Sequence, residues 1–249
     1  MHPTFYLPPE EWADNVVLTQ QEACHLISVL RLKEGDRVRL IDGHGQSGQF
    51  VIEKIQNKNV TLAMVETHFS QRTKSFPIMA LALSKSVRRG FFMEKAVELG
   101  AGAIWLWQAE RSQGKVHPGI RDALIRQMIA GAKQCGNPWL PQIEIFNDGL
   151  TTMLKKAESV EHLILPWEHQ GAENMLMEDM VGQEGETIYM IGPEGGFSEK
   201  ELTALDQAGF IRVSLGPNIL RCETAATLCL GIHWWASHLS EKSALRCYL

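Results

Sequence analysis

Apolar and polar positions alternate at intervals of two in the first seventy residues, which is the period of half-buried β-strands. The clearest examples are RVRLI at 37–41 and QFVIEKI at 49–55, separated by the turn residues Asp42-Gly43-His44-Gly45. This pattern predicts a small β-barrel. One helix should interrupt it, because Thr19 is placed to cap a helix, with Glu22 three residues on as the reciprocal partner.

The pattern of apolar positions changes from Phe76 onwards. Apolar runs of strand length alternate there with segments of helical periodicity, as in parallel α/β folds. Strands are expected at IMALALS, AIWLWQ, HLILPW, TIYMIG and IRVSLG, and helices at 92–99, 119–134, 198–208 and 222–239. The polar run at 70–75 is typical of a linker. The sequence therefore predicts two domains, residues 1–72 and 73–249.

Composition narrows the class of protein. The chain has 249 residues and is 45% hydrophobic, enough for real cores. We find neither a run of about twenty apolar residues nor a basic and apolar leader, so we expect a cytoplasmic protein without a membrane span. Five scattered cysteines without a C-x-x-C pair disfavour disulfides and a zinc site, so we expect no metal.

Charge is divided unevenly along the chain. The net charge is -5, yet residues 76–140 carry nine Lys and Arg against four Asp and Glu, while residues 141–249 carry seven against sixteen. The basic middle segment could bind the phosphates of a nucleic acid, with the acidic remainder maintaining solubility. A solvated helix face explains the same residues equally well.

The segment from Ile191 to Ser198 (IGPEGGFS) lies between a buried strand and a capped helix, where α/β sheets bind ligands. Its glycines would let a ligand approach the backbone. The spacing matches neither the dinucleotide fingerprint nor the P-loop, and no phosphate-binding lysine or metal-binding carboxylate pattern follows, so a nucleotide-phosphate enzyme is disfavoured. An ordinary glycine-rich turn is the alternative.

A second segment of this kind, from Leu215 to Ala225 (LGPNILRCETA), also leaves a strand and enters a helix. Two such loops make one pocket plausible, and their apolar residues suit an adenine and a ribose. Arg221 and Glu223 could serve that pocket or form a surface ion pair at the helix start.

These two motifs, together with MEKAVELGA, ERSQ and HLISVLRLKEGDRVRLIDGHG, resemble the bacterial 16S ribosomal RNA uracil-N3 methyltransferase family over nearly the whole chain. The family belongs to the SPOUT class. The resemblance implies a deep trefoil knot in the C-terminal α/β domain, a PUA-like RNA-binding barrel before it, and S-adenosylmethionine as cofactor. It also implies a homodimer that methylates 16S ribosomal RNA near the decoding site of the small ribosomal subunit.

The resemblance places the cofactor on three loops that follow predicted strands. The residues are Leu165, Pro166, Ile191, Gly192, Pro193, Glu194, Gly195, Gly196, Leu215, Gly216, Asn218, Ile219 and Leu220. The last helix is expected at the dimer interface, where Trp234 and Trp235 would lie, although both could equally belong to the core.

The candidate RNA-binding residues are His25, Arg31, Arg37, Arg39, Arg88, Arg89 and Lys133. For His25, a structural role on an apolar helix face is the simpler interpretation. The chain departs from the family at Lys133-Gln134-Cys135-Gly136-Asn137, where Glu-Gln and Gly-Arg are usual, which puts the RNA contacts of that turn in question.

Methylation at uracil N3 requires that the N3 proton leave, and a neighbouring cation favours the deprotonated base. Arg221 or Arg111 is the candidate for that cation, with Glu223 orienting it. Two alternatives stay open: a SPOUT methyltransferase that acts on another ribosomal or transfer RNA base, and a catalytically silent RNA-binding assembly factor.

Overall fold

A computed structural model describes residues 2–73, 75–83, 89–113, 118–169, 171 and 174–246, and only the backbone at Gln20, Arg89, Glu178 and 240–246. The chain divides into two compact units. One comprises Met1–Arg72 with Ile129–Leu140, and the other Thr73–Met128 with Pro141–Leu249. In the described residues no helix is both long enough and apolar enough to cross a membrane.

The first unit is built on a five-stranded sheet. Its strands are β1 (Thr4–Tyr6), β2 (Asn15–Leu18), β3 (Arg37–Ile41), β4 (Gln46–Gln56) and β5 (Asn59–Phe69), in the order β1-β3-β4-β5-β2. Only the β1–β3 pair is parallel. The register of β4 against β5 shifts at Gln49/Phe50 and at Ile52/Lys54, and such bulges bend a strand pair.

The alternation predicted for β3 is confirmed, because Val38 and Leu40 are fully buried while Arg37 is exposed and Arg39 half-buried. The side chains of β3 and β4 join Phe5 and Leu26 in one apolar core. Burial of alternate residues on one face therefore fixes the strand register of this unit.

The helix that interrupts the sheet differs from its prediction. It consists of α1 (Gln20–Cys24) followed directly by one π-helical turn (His25–Val29), and the side chain of Thr19 makes no capping hydrogen bond. Glu22 instead accepts hydrogen bonds from the Lys133 ammonium at 2.8 Å on both carboxylate oxygens. An ion pair has taken the carboxylate that a capping box would need.

The second unit contains a six-stranded parallel sheet, as the sequence predicts. The strands β6 (Ser75–Ala82), β7 (Ala103–Trp107), β8 (Gln142–Phe146), β9 (His162–Pro166), β10 (Gly185–Ile191) and β11 (Ile211–Val213) are ordered β11-β9-β10-β6-β7-β8. The helices are α2 (Arg89–Glu98), α3 (Ile120–Cys135), α4 (Leu150–Ala157), α5 (Glu199–Gln207) and α6 (Cys222–Arg246). The strand β8 and the helix α4 were not predicted from the sequence.

Central strands of this sheet are apolar along their length. All five residues of β7 are buried, and so are Thr187 to Ile191 in β10. Both faces of a parallel sheet are covered, which removes the period-two signal and leaves continuous apolar runs. Because the strands are parallel, the carboxyl ends of β9, β10 and β11 lie along one edge, and that edge carries the candidate site.

Candidate functional site

One cavity of about 480 Å³ lies where β9, β10 and α6 meet. Pro166 ends β9 on its wall, the loop from Ile191 to Phe197 forms a second side, and the segment from Ile219 to Ala225 closes a third. The two glycine-containing loops predicted to share a pocket therefore do so. The volume is within the usual range for small-molecule sites, roughly 300–1,000 Å³.

The loop after β10 is held in a shape that requires glycine. A Cβ on Gly192 would lie 2.7 Å from the ring of Phe197, and Gly196 has a φ of +70°. The predicted capping box of α5 is present: Ser198 Oγ accepts a hydrogen bond from the Glu201 N–H, and the Glu201 carboxylate accepts one from the Ser198 N–H. The start of α5 thus fixes one wall of the cavity.

The buried carboxylate of Glu201 also reaches the neighbouring loop. It accepts a hydrogen bond from the backbone N–H of Glu110 at 2.8 Å. The next residue, Arg111, donates from Nη1 to the carbonyl of Gly195 at 3.2 Å. These two bonds attach the segment after β7 to the first turn of α5 and to the loop after β10, and they place Arg111 beside Gly195.

The first residue of α6 connects to the same loop. The thiol of Cys222 donates a hydrogen bond to the Gly192 carbonyl at 3.1 Å. Burial, together with the smaller effects of the Glu194, Glu223 and Glu168 carboxylates, raises the pKa of the Cys222 thiol to about 11. All three carboxylates line the cavity, where they outnumber the single lining guanidinium, that of Arg221.

The predicted cofactor residues occupy different positions. Eight of the proposed cofactor residues line the cavity: Pro166, Ile191, Gly192, Pro193, Glu194, Gly196, Ile219 and Leu220. The candidate catalytic residues Arg221, just before α6, and Glu223, in its first turn, line it as well. The Leu165 side chain is completely buried in the core behind the wall. Gly195, Leu215, Gly216 and Asn218 belong to the same loops without being part of the cavity lining.

Four lining residues were not predicted from the sequence, namely Glu168, Phe197, Cys222 and Ala225. Phe197 lies in the IGPEGGFS motif and Cys222 in the LGPNILRCETA motif, so their place in these motifs could have indicated that they line the cavity. Glu168 follows β9, and nothing in its local pattern sets it apart. In the described residues no group of three His, Cys, Asp or Glu side chains is arranged to hold a metal ion.

Comparison with known proteins decides the family. A model described as an RNA methyltransferase domain matches residues 71–234, and one described as an RNA methyltransferase PUA domain matches residues 18–65. The chain belongs to the RNA methyltransferase family. The α/β fold with a PUA-like N-terminal domain is thereby confirmed, as is the resemblance found in the motifs.

Individual relatives agree with this assignment. The ribosomal RNA small subunit methyltransferase E of Mycobacterium tuberculosis is 28% identical over 223 residues, covering 86% of this chain and 84% of its own. The enzyme of that name from Rickettsia conorii is 30% identical over 225 residues, covering 86% and 87%. A methyltransferase of Legionella pneumophila, solved with S-adenosylmethionine bound, is 27% identical with a TM-score of 0.82, covering 95% and 98%.

The candidate RNA-binding residues of this RNA methyltransferase lie mostly in the first unit. Arg31 and Arg37 are exposed, whereas His25 is half-buried with its ring 6.2 Å from that of Phe5. The charge of Lys133 is balanced by Glu22. The Arg39 guanidinium lies against Gly136, where an added Cβ would be 2.9 Å from Nη1.

Two further candidates cannot be placed in the same way. Arg88 lies outside the described residues, and so does the side chain of Arg89, whose backbone begins α2.

On α6, Trp235 is 62% exposed and Trp234 42% exposed, so neither belongs to the core of this chain.

Proposed function

We propose that this protein transfers the methyl group of S-adenosylmethionine to N3 of a uridine in 16S ribosomal RNA, near the decoding site of the small ribosomal subunit. The observation that carries the proposal is the cavity formed by the strand ends of β9 and β10 and the start of α6. We also propose that the chain acts in the cytoplasm as a homodimer. Residues 1–72 and 73–249 are its two proposed domains, and the C-terminal part of the second domain is proposed to form the trefoil knot of the SPOUT class.

The cavity suits S-adenosylmethionine in shape and charge. Its apolar wall, formed by Ile191, Phe197 and Leu220, fits an adenine ring, and the glycines of the loop after β10 let a ligand approach the backbone closely. Glu168, Glu194 and Glu223 favour a ligand with a positive centre. The cofactor supplies an electrophilic methyl group on a sulfonium, which requires no metal.

The protein must then hold the acceptor base and remove the N3 proton. Arg221, on the cavity wall, and Arg111, attached to Gly195, are the cations that favour the deprotonated uracil. Glu223, two positions after Arg221, also lines the cavity and orients the guanidinium. Because N3 lies on the pairing edge, the uridine must be unpaired or flipped out of a helix.

The direct test is incubation of the protein with tritiated S-adenosylmethionine and small ribosomal subunits from cells that lack the enzyme, followed by mapping of the labelled base. We expect the label on N3 of one uridine of 16S ribosomal RNA. Label on another ribosomal or transfer RNA base would identify a different substrate within the class.

A calorimetric titration with S-adenosylmethionine addresses the remaining alternative. Absence of binding would favour a silent assembly factor that has kept the fold. Arg221→Ala and Arg111→Ala variants test the catalytic roles, with Lys200→Ala, outside the cavity lining, as the control. Unchanged turnover in both arginine variants would remove those roles without affecting the cofactor assignment.

A further inference from the structure

At the end of β5, an exposed aromatic ring contacts a second ring that has a guanidinium over it, in a part of the first unit outside the candidate RNA contacts. Phe69 is 60% exposed, and its ring centroid lies 5.9 Å from that of Trp139 at an interplanar angle of 77°. The Arg72 guanidinium carbon lies 5.3 Å over the Trp139 ring. We call Phe69, Arg72 and Trp139 the aromatic platform.

The indole of the platform is fixed by several independent contacts. Its Nε1–H donates to the Ser70 carbonyl at 3.0 Å, and the backbone N–H of Trp139 donates to Asn137 Oδ1 at 3.0 Å. The indole also lies on the backbone of Gly45, where a Cβ would be 2.5 Å from Cζ2. Asn137, a departure from the family pattern, therefore orders the loop that carries Trp139.

The fold does not account for the exposure of Phe69. Its ring lies outside the apolar core of the first unit, which is built from residues such as Phe50 and Leu62. A perpendicular neighbour covers at most one face of a ring, so the Phe69 ring keeps accessible apolar surface. An exposed aromatic ring with a cation on the neighbouring ring is a combination on which unpaired nucleobases stack while their phosphates meet the charge.

We infer that the aromatic platform binds an unpaired nucleobase of an RNA strand by stacking on Phe69, with Arg72 meeting the adjoining phosphate. This inference rests on the proposed function in that the strand would belong to the RNA substrate. It assigns the platform the role of holding single-stranded RNA, because a paired base has no free ring face to offer.

The test measures binding of the full chain to a fluorescein-labelled, uridine-rich single-stranded RNA of about ten nucleotides by anisotropy. Phe69→Ala should raise the Kd about tenfold, the order of one lost base stack, and Phe69→Trp should restore binding. Val65→Ala, an equally apolar and half-exposed position of β5, is the matched control and should bind as the wild type does. Annealing the RNA to its complement should abolish the difference between Phe69→Ala and the wild type.

A salt titration separates the two parts of the platform. Arg72→Gln should reduce the slope of log Kd against log salt by roughly 0.7, the value of one phosphate contact on a single strand. Phe69→Ala should leave the slope unchanged, since it removes stacking rather than charge. Circular dichroism melting checks that each variant is folded.

The platform would be overturned if Phe69→Ala bound the single strand within twofold of the wild type, or if Val65→Ala lost as much affinity. A platform that serves a protein partner instead would give the first of these results. Titration with S-adenosylmethionine is run on the same samples. If the protein binds S-adenosylmethionine and Phe69→Ala binds the RNA as tightly as the wild type, the result counts against the platform alone. If the protein binds no cofactor but Phe69→Ala loses tenfold in RNA affinity, the result supports the platform and counts against the proposed function.

Discussion

The Glu201 carboxylate accepts a backbone hydrogen bond from Glu110 at 2.8 Å, joining residues that are 91 positions apart. Its other oxygen caps α5 through the Ser198 N–H at 2.8 Å. One buried side chain therefore holds both the loop that carries Arg111 and the loop that forms the cavity wall. Glu201 is a positioning residue for the site rather than a group that contacts the ligand.

Glu201→Gln should weaken the site and the fold together. The glutamine keeps one acceptor oxygen, but its NH₂ group must face one of the two backbone N–H donors, which leaves a buried donor unsatisfied. We expect a loss of about 1–3 kcal/mol in the free energy of unfolding, measured with denaturant, and weaker S-adenosylmethionine binding by calorimetry. Glu199→Gln, exposed in the first turn of the same helix, is the control. Equal stability of the two variants would contradict the positioning role.

The excess of carboxylates in the cavity lining predicts discrimination between cofactor and product. Glu194 lines the cavity, and its carboxylate is among those that raise the pKa of the Cys222 thiol. A carboxylate attracts a sulfonium, whereas the thioether left after methyl transfer lacks that charge. Glu194→Gln should weaken S-adenosylmethionine binding by about three- to tenfold, since exposure screens the attraction, and should change S-adenosylhomocysteine binding little.

Calorimetric titration of both ligands measures the ratio of their dissociation constants. Glu158→Gln, an exposed position that is not part of the cavity lining, is the control and should leave the ratio unchanged. A parallel loss for both ligands in Glu194→Gln would mean that the side chain acts through loop shape instead of charge.

Features of this fold that depend on neighbouring residues could be predicted from the sequence more reliably than features that depend on residues far apart in the chain. The capping box of Ser198 and Glu201 is a local pattern, and it formed as expected. At Thr19 the same pattern failed, because Lys133, over a hundred positions away, took the Glu22 carboxylate. Local patterns predict local structure until a distant partner competes for the same group.

The same limit applies to the site. Two glycine-rich strand ends were readable, and the parallel sheet brings them to one edge, so their shared cavity could be predicted. The position of Glu168 in the cavity lining depends on how loops from separate strands fold back towards each other. The hydrogen bond between Glu201 and Glu110 depends on the same folding, and no spacing along the chain predicts it.

A buried histidine predicts the pH dependence of stability. His233 on α6 is 2% exposed and is hydrogen-bonded to Tyr189 Oη through Nδ1 and to Ser75 Oγ through Nε2, each at 3.1 Å. Burial lowers the pKa of His233 from 6.5 to about 4, with a smaller effect of His162 in the same direction.

The unfolded chain therefore binds a proton on this residue between pH 6.5 and about 4, where the folded chain does not. The contribution of neutral His233 to the free energy of unfolding is fully present above pH 6.5. It should be lost as the pH falls to about 4, and the total loss should be about 3 kcal/mol. Denaturant unfolding at several pH values measures this. His233→Gln should flatten the dependence in that window, whereas His238→Gln, exposed on the same helix, should leave it as in the wild type. A steep acid loss that persists in His233→Gln would assign it to other groups.

The exposed face of α6 provides the test of the proposed homodimer. Leu228, Trp235 and Leu239 follow one another at helical spacing and are 38%, 62% and 38% exposed. Burying such a row against a second copy would remove its apolar surface from water, and a charge placed in its centre would have to be desolvated. Trp235→Glu should therefore convert a dimer into a monomer in sedimentation velocity at micromolar concentration. Ile211→Glu, a similarly exposed apolar residue on β11, is the control and should sediment as the wild type does. A wild-type protein that sediments as a monomer, or a Trp235→Glu variant that stays dimeric, would remove α6 from the interface.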